Sequence, residues 1–199
     1  TRMTKLFFSL LFAAGFAVAA QAGVDPVKSD FKVNTTASKV EWIGRKVTGK
    51  HNGTINIKEG VLQIKDGILL GGSFVIDMTS IKDLDMTGEY AAKLEGHLKS
   101  DDFFAADVYP TSKLTITQAN AKGDGQFEVK GNLTIRDVTK EVTFMTQLTP
   151  DGKKYKATTN ITIDRSNYNV KYGSGSFFEG LGDKTIYDEF DLAITLIAE

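Results

Sequence analysis

From Phe31 onward, apolar side chains recur at every second position, in runs separated by Gly, Asn and Asp. A period of two marks strands with one buried face, so the chain reads as mostly β. Ser38–Lys46 sets Val40 and Trp42 against Glu41, Ile55 and Ile57 form a short run, and Val61–Ile64 forms another. Gly71–Asp77 carries Phe74 and Ile76 ahead of a polar turn. Leu114 and Ile116 share a face in Lys113–Thr117; Phe127, Val129, Leu133 and Ile135 share one in the next strand, around Gly131. A turn near Asp137 leads to Val142, Phe144 and Leu148, and Pro150-Asp151-Gly152 reverses the chain into Tyr155, Ala157, Ile161 and Ile163. The last strand, Ile186–Ala198, has Phe190, Leu192, Ile194 and Leu196 on one side. Eight or nine antiparallel strands with short turns are expected.

One segment breaks this period. Between Asp83 and Lys99, Leu84, Tyr90, Ala91, Leu94 and Leu98 fall near helical spacing. Thr87 is placed to cap the helix, and Glu89/Lys93 and Glu95/Lys99 make favourable i,i+4 pairs. An amphipathic helix is therefore inserted among the strands, followed by a capped turn at Ser100-Asp101-Asp102-Phe103-Phe104 that must bury its two Phe. A second irregular stretch, Tyr168 to Gly182, carries Tyr172, Phe177, Phe178 and Leu181. Eight or so antiparallel strands protect their edges by closing into a barrel or by stacking as two sheets. Faces opposite the apolar ones carry Lys, Thr, Asp and Glu, which suits an apolar interior. A barrel facing lipid would invert the pattern and add aromatic girdles, whereas this chain has one Trp and ends in Glu199.

Ahead of the strands, Met3–Ala22 combines Lys5, a 15-residue apolar stretch from Leu6 to Ala20, and Ala20-Gln21-Ala22. This is the order of a secretory signal peptide, with cleavage expected after Ala22. A membrane span needs about 20 apolar residues, so stable membrane insertion is not expected. Thr1 and Arg2 precede the Met and belong to no fold. Residues 23–199 then form one domain, because no Pro-rich or low-complexity stretch divides them. The chain lacks Cys, which excludes disulfides, thiolate metal sites and a Cys nucleophile, and suits an oxidising periplasm. Lys and Arg number 24 and Asp and Glu 25, scattered along the chain, so nucleic acid is not an expected partner.

The inventory of catalytic chemistry is thin. Only His51 and His97 are present; no GxSxG elbow or triad motif accompanies them. Gly173-Ser174-Gly175 lacks the spacing, Lys and helix of a phosphate loop. No HxH or HxxxH pair points to a metal, and none is expected. His97 reads as a hydrogen-bonding residue near the helix end, with contact to a ligand head group as the alternative. Asp77, Asp101, Asp102 and Asp164 read as turn and cap residues, and Arg165 as a structural ion-pair former.

Several runs together carry a resemblance. Gly96-His97-Leu98-Lys99-Ser100-Asp101-Asp102-Phe103-Phe104, Tyr109-Pro110 and Gly131-Asn132-Leu133-Thr134-Ile135-Arg136-Asp137-Val138-Thr139-Lys140 occur in order. Trp42 with Gly49-Lys50-His51-Asn52-Gly53, and Asp164-Arg165-Ser166-Asn167-Tyr168, fit the same pattern. The chain resembles the YceI-like proteins, periplasmic lipocalin-like barrels associated with polyisoprenoid binding. The resemblance implies an all-β fold with a minor helix, a single barrel of eight strands or so, and an apolar tunnel for an isoprenoid or related long-chain amphiphile, quinone-like ligands included. On that basis the tail is expected among Leu114, Ile116, Leu133, Ile135, Val142, Phe144, Ile161 and Ile163. Around the mouth, Trp42, Leu94, Leu98, Phe103, Tyr168, Tyr172, Phe177 and Phe178 are the candidates, with His97 near the head group.

The leading expectation is non-catalytic binding, storage or transport of that lipid, with no other cofactor. Two other classes stay open: an enzyme acting on the lipid with His97 or His51 as base, and a stress-response structural module whose apolar interior is only core. Homodimer formation through a strand edge is compatible with the sequence, which does not decide it.

Overall fold

The computed structural model describes residues 29–199. The proposed signal segment, residues 1–22, lies outside the described residues. Nine strands and one α-helix follow in the order β1 (Ser29–Lys32), β2 (Lys39–Lys46), β3 (Gly49–Lys65), β4 (Ile68–Asp83), α1 (Gly88–Lys99), β5 (Thr111–Gly123), β6 (Gln126–Ile135), β7 (Val138–Asp151), β8 (Lys154–Asp164) and β9 (Ile186–Ala198). Consecutive strands from β2 to β9 pair antiparallel, and β9 pairs back onto β2, closing an eight-stranded barrel. β1 lies on the far half of β3, with Phe31 opposite Leu62. It fills the gap beyond the end of β2, where Lys32 and Glu199 exchange backbone hydrogen bonds at 2.9 Å.

Local chemistry sets the hairpins. Asp66-Gly67, Asp124-Gly125 and Arg136-Asp137 are two-residue turns with positive φ at both positions, the geometry whose twist matches the flanking strands. These turns leave Leu114, Val129, Leu133, Phe144 and Ile161 on the inner wall, while Lys156, Asn160 and Thr162 of β8 are exposed. The polar faces thus meet solvent and the apolar ones the interior, opposite to a lipid-facing barrel.

Strands β3, β4 and β5 are longer than the alternation implies, β5 running from Thr111 to Gly123 rather than from Lys113 to Thr117. Ile55–Ile57 and Val61–Ile64 belong to one 17-residue strand, and β4 runs on past Asp77 to Asp83. Register shifts at Thr54/Asn56 and Ile57/Glu59 change which residues face inward without ending the strand. The expected polar turn after Asp77 is such an irregularity: Asp77 Oδ1 accepts from the Thr79 backbone and hydroxyl, while the Ser80 hydroxyl donates to the Asp77 carbonyl.

The barrel ends differ. At the end formed by the β3–β4, β5–β6 and β7–β8 hairpins, Leu62, Ile64, Leu69, Phe127, Val129 and Leu148 pack into a buried cluster that closes it. At the other end α1 lies against β4. Leu94 and Leu98 turn toward the interior, but Leu84 and Tyr90 are exposed, Tyr90 by 74%. Thr87 has the extended backbone of an N-cap without a side-chain cap bond. Glu89 pairs with Lys93 at 2.7 Å, whereas Glu95 accepts the backbone N–H of Asp83 at 3.0 Å and so ties the helix to β4.

Candidate functional site

A cavity of about 410 Å³ occupies the barrel above the closed end. Its wall comes from side chains that alternate inward on every barrel strand. Leu114 and Ile116 on β5, Leu133 and Ile135 on β6, Val142 and Phe144 on β7, and Ile161 and Ile163 on β8 all line it. Trp42, Leu94, Leu98 and Phe103 line it as well, together with His97. Strands β2, β4 and β9 add Val40, Phe74, Ile76, Met78, Leu192 and Ile194, which the sequence reading left out although their alternation already marked several of them as inward.

The few polar groups on this wall are bonded to the protein. The Trp42 indole N–H donates to the Thr54 carbonyl at 3.2 Å, and the Thr146 hydroxyl to the Thr158 carbonyl at 3.2 Å. The Ser112 hydroxyl donates to Met78 Sδ at 3.0 Å. Such a wall offers hydrocarbon contact with few directional contacts, the environment in which an apolar chain is bound by area alone. Charged and polar side chains gather where the wall reaches solvent: Arg45, Lys46, His51, His97 and Glu189.

Four expected mouth residues do not line the cavity. Tyr168 is buried behind the wall against Ile135, Ile161 and Ile163, and burial raises its hydroxyl pKa. Tyr172 stacks edge-on against His97, ring centroids 4.7 Å apart, and tilts against Phe103. Phe177 and Phe178 are about half exposed, with the Lys171 ammonium 4.5 Å from the Phe177 ring centroid. Irregular backbone carries no period from which the direction of these side chains could be read.

Arg165 organises this loop. Its side chain, 4% exposed, donates to the carbonyls of Tyr187, Val170 and Ile186 at 3.1, 2.9 and 3.1 Å. Its ion-pair partner is Asp188 at 3.5 Å, while neighbouring Asp164 caps Ser166 through backbone and hydroxyl. The guanidinium also stands 5.7 Å from the Phe103 ring centroid. Burial lowers its pKa, and Asp188 and Asp164 oppose that. Arg136 acts similarly on the turn after α1, donating to the carbonyls of Asp101, Phe103 and Asn169 at 3.1, 2.7 and 3.3 Å.

Each histidine has its own carboxylate partner. His97 Nε2 lies 3.0 Å from Asp102 Oδ2, and His51 Nδ1 lies 2.9 Å from Asp85 Oδ2. Asp83, at the end of β4, stands beside the second pair, so that His51, Asp83 and Asp85 bring potential ligand atoms within 4.8 Å of one another. Sequence spacing hid this group because the cross-strand pairing of Gly53 with Asp83 assembles it.

The family model described as YceI-like domain matches residues 31–198. A UPF0312 protein of Photorhabdus laumondii is 31% identical over 105 residues, 53% of each chain. Protein YceI of Shigella flexneri is 30% identical over 147 residues, 73% of this chain and 71% of that one. This chain therefore spans about half the length of the first relative and more of the second. The crystal structure of Burkholderia cenocepacia BcnA superposes with a TM-score of 0.70 at 20% identity, covering 84% of this chain and 99% of that one. A polyisoprenoid binding domain from Saccharophagus degradans gives 0.61 at 15% identity, covering 85% and 97%. At these identities the structural likeness is one of fold. With the family match reaching from β1 to the last residues of β9, the chain belongs to the YceI-like domain family.

Proposed function

We propose that this protein binds an isoprenoid or related long-chain amphiphile without catalysis, as a periplasmic carrier or reservoir. The single observation that carries the reading is the cavity, closed by packed side chains at one end and rimmed by charged groups at the other. An apolar tail gains about 0.8 kcal/mol for each CH₂ removed from water, so affinity needs no polar anchor inside. A polar head is accommodated at the rim, near His97 and Arg45. The Saccharophagus domain, described as polyisoprenoid binding, supports the ligand class, and the signal-like Met3–Ala22 supports export.

The test is native mass spectrometry of the purified protein, followed by organic extraction and thermal shift with added polyprenyl phosphate and ubiquinone. Co-purifying lipid, or a rise in Tm with added prenyl lipid, is expected. Protein without lipid, showing no uptake of either probe, overturns the reading. The histidine–carboxylate pairs favour a second reading, an enzyme that uses His97 or His51 as a base. In that case His97→Ala or His51→Ala abolishes turnover of the bound lipid and leaves its binding intact.

A further inference from the structure

The rim cluster of His51, Asp83 and Asp85 sets two carboxyl groups against a single imidazole. Asp83 is 3% exposed; its Oδ2 accepts the Met86 backbone N–H at 2.7 Å, and its Oδ1 has no hydrogen-bond partner. Asp85 lies against it, with Oδ1 taken by the Asn52 backbone N–H at 2.8 Å and Oδ2 facing His51 Nδ1 at 2.9 Å. Glu95 adds a further carboxylate at the Asp83 backbone. Among the described residues, neither Asp83 nor Asp85 has a Lys or Arg partner, and His51 alone pairs with Asp85. Buried carboxylate oxygens are normally met by a donor or a cation, and an orphan beside a second carboxylate is the costly case.

We infer that His51, Asp83 and Asp85 form a binding site for one first-row divalent cation at the rim of the cavity. The donor atoms lie within 4.8 Å of one another, a spacing that a central ion can bridge with small side-chain adjustments. One imidazole and two carboxylates suit zinc or manganese better than calcium, which prefers an all-oxygen shell. Three protein ligands leave a coordination position open to water. Because His51 also lines the cavity, that position is available to an oxygen of a molecule held inside. The cation site stands on its own geometry and does not require the lipid reading.

The experiment uses untagged full chain, treated with EDTA and dialysed, then titrated with zinc chloride or manganese chloride alone. Calorimetry follows binding, and elemental analysis gives the stoichiometry. One equivalent is expected, with a rise in Tm. Asp83→Asn keeps the shape of the side chain and replaces one ligand oxygen, with circular dichroism reading its fold; it and His51→Gln each weaken binding at least tenfold. Glu89→Gln, outside the cluster, binds as the natural chain does. No stoichiometric binding of either ion, or an affinity in Asp83→Asn and His51→Gln equal to that of the natural chain, overturns the inference. Prenyl-lipid uptake by EDTA-treated protein is measured in parallel, so failure of the cation site and failure of the lipid reading are seen separately.

Discussion

The indole of Trp42 lies across Gly53, its cross-strand partner: a Cβ at position 53 would stand 2.5 Å from Trp42 Cζ2 and would also meet the Lys82 carbonyl oxygen. The glycine therefore admits both the ring that lines the cavity and the close approach of β4. Gly53→Ala is expected to destabilise the barrel by about 2–3 kcal/mol, the upper range for overpacking, because backbone must shift. Thermal denaturation reads this as a fall in Tm of several degrees; an unchanged Tm would show that β4 yields at no cost.

Replacing Arg165 removes the donors for three carbonyls and takes from the partly exposed Asp188 its ion-pair partner, leaving it only the Ser176 hydroxyl. Arg165→Met should cost about 3–5 kcal/mol in urea denaturation. Arg165→Lys should recover little, since one ammonium cannot reproduce the planar fork that reaches Tyr187, Val170 and Ile186 together. Rescue by Lys would point to charge alone as the contribution.

Leu114 and Leu133 are cross-strand partners facing the cavity. Changing both to Phe adds volume where the barrel has room, so stability should hold or rise, and uptake of polyprenyl phosphate should fall at least tenfold. In a filled barrel the same change would cost about 1–3 kcal/mol by overpacking. Denaturation and lipid binding measured on the same variant separate the two outcomes.

The hydroxyl of Thr162 donates to Asp191, which also pairs with Arg45 at 2.7 Å; these contacts hold the Asp191 pKa below its ordinary value. A carboxyl with a depressed folded pKa stabilises the fold fully above its unfolded pKa. That contribution is lost as pH falls through the folded value. The stability difference between the natural chain and Asp191→Asn should therefore be constant near neutrality and shrink below about pH 4. Chemical denaturation at a series of pH values checks it; a difference that grows on acidification would reverse the assigned direction.

How much was legible depended on whether local rules governed the residue. Leu133 and Ile161 could be placed on the wall from alternation; turn chemistry announced a reversal at Pro150-Asp151-Gly152, but Pro150 and Asp151 remain paired in β7 and the chain turns at Gly152-Lys153. The continuity of β3 was hidden because its register shifts break the period without breaking the strand. Tyr90 shared the spacing of Leu94 and Leu98, yet spacing gives an angle around a helix and not which flank meets the sheet. Phe177 and Phe178 sit on backbone without any period, so their exposure could not be read in advance.

By itself, the order of residues determined an antiparallel all-β chain with one helix, an apolar face on each strand, and tight turns, since each depends on neighbours within a few positions. Whether the inward side chains meet across the axis or leave space was decided by closure, because strand stagger and tilt set the radius they must fill. Pairing of neighbouring strands brought His51 to Asp83 and Arg165 to Asp188, groups joined through the β3–β4 and β8–β9 ladders rather than by spacing along the chain.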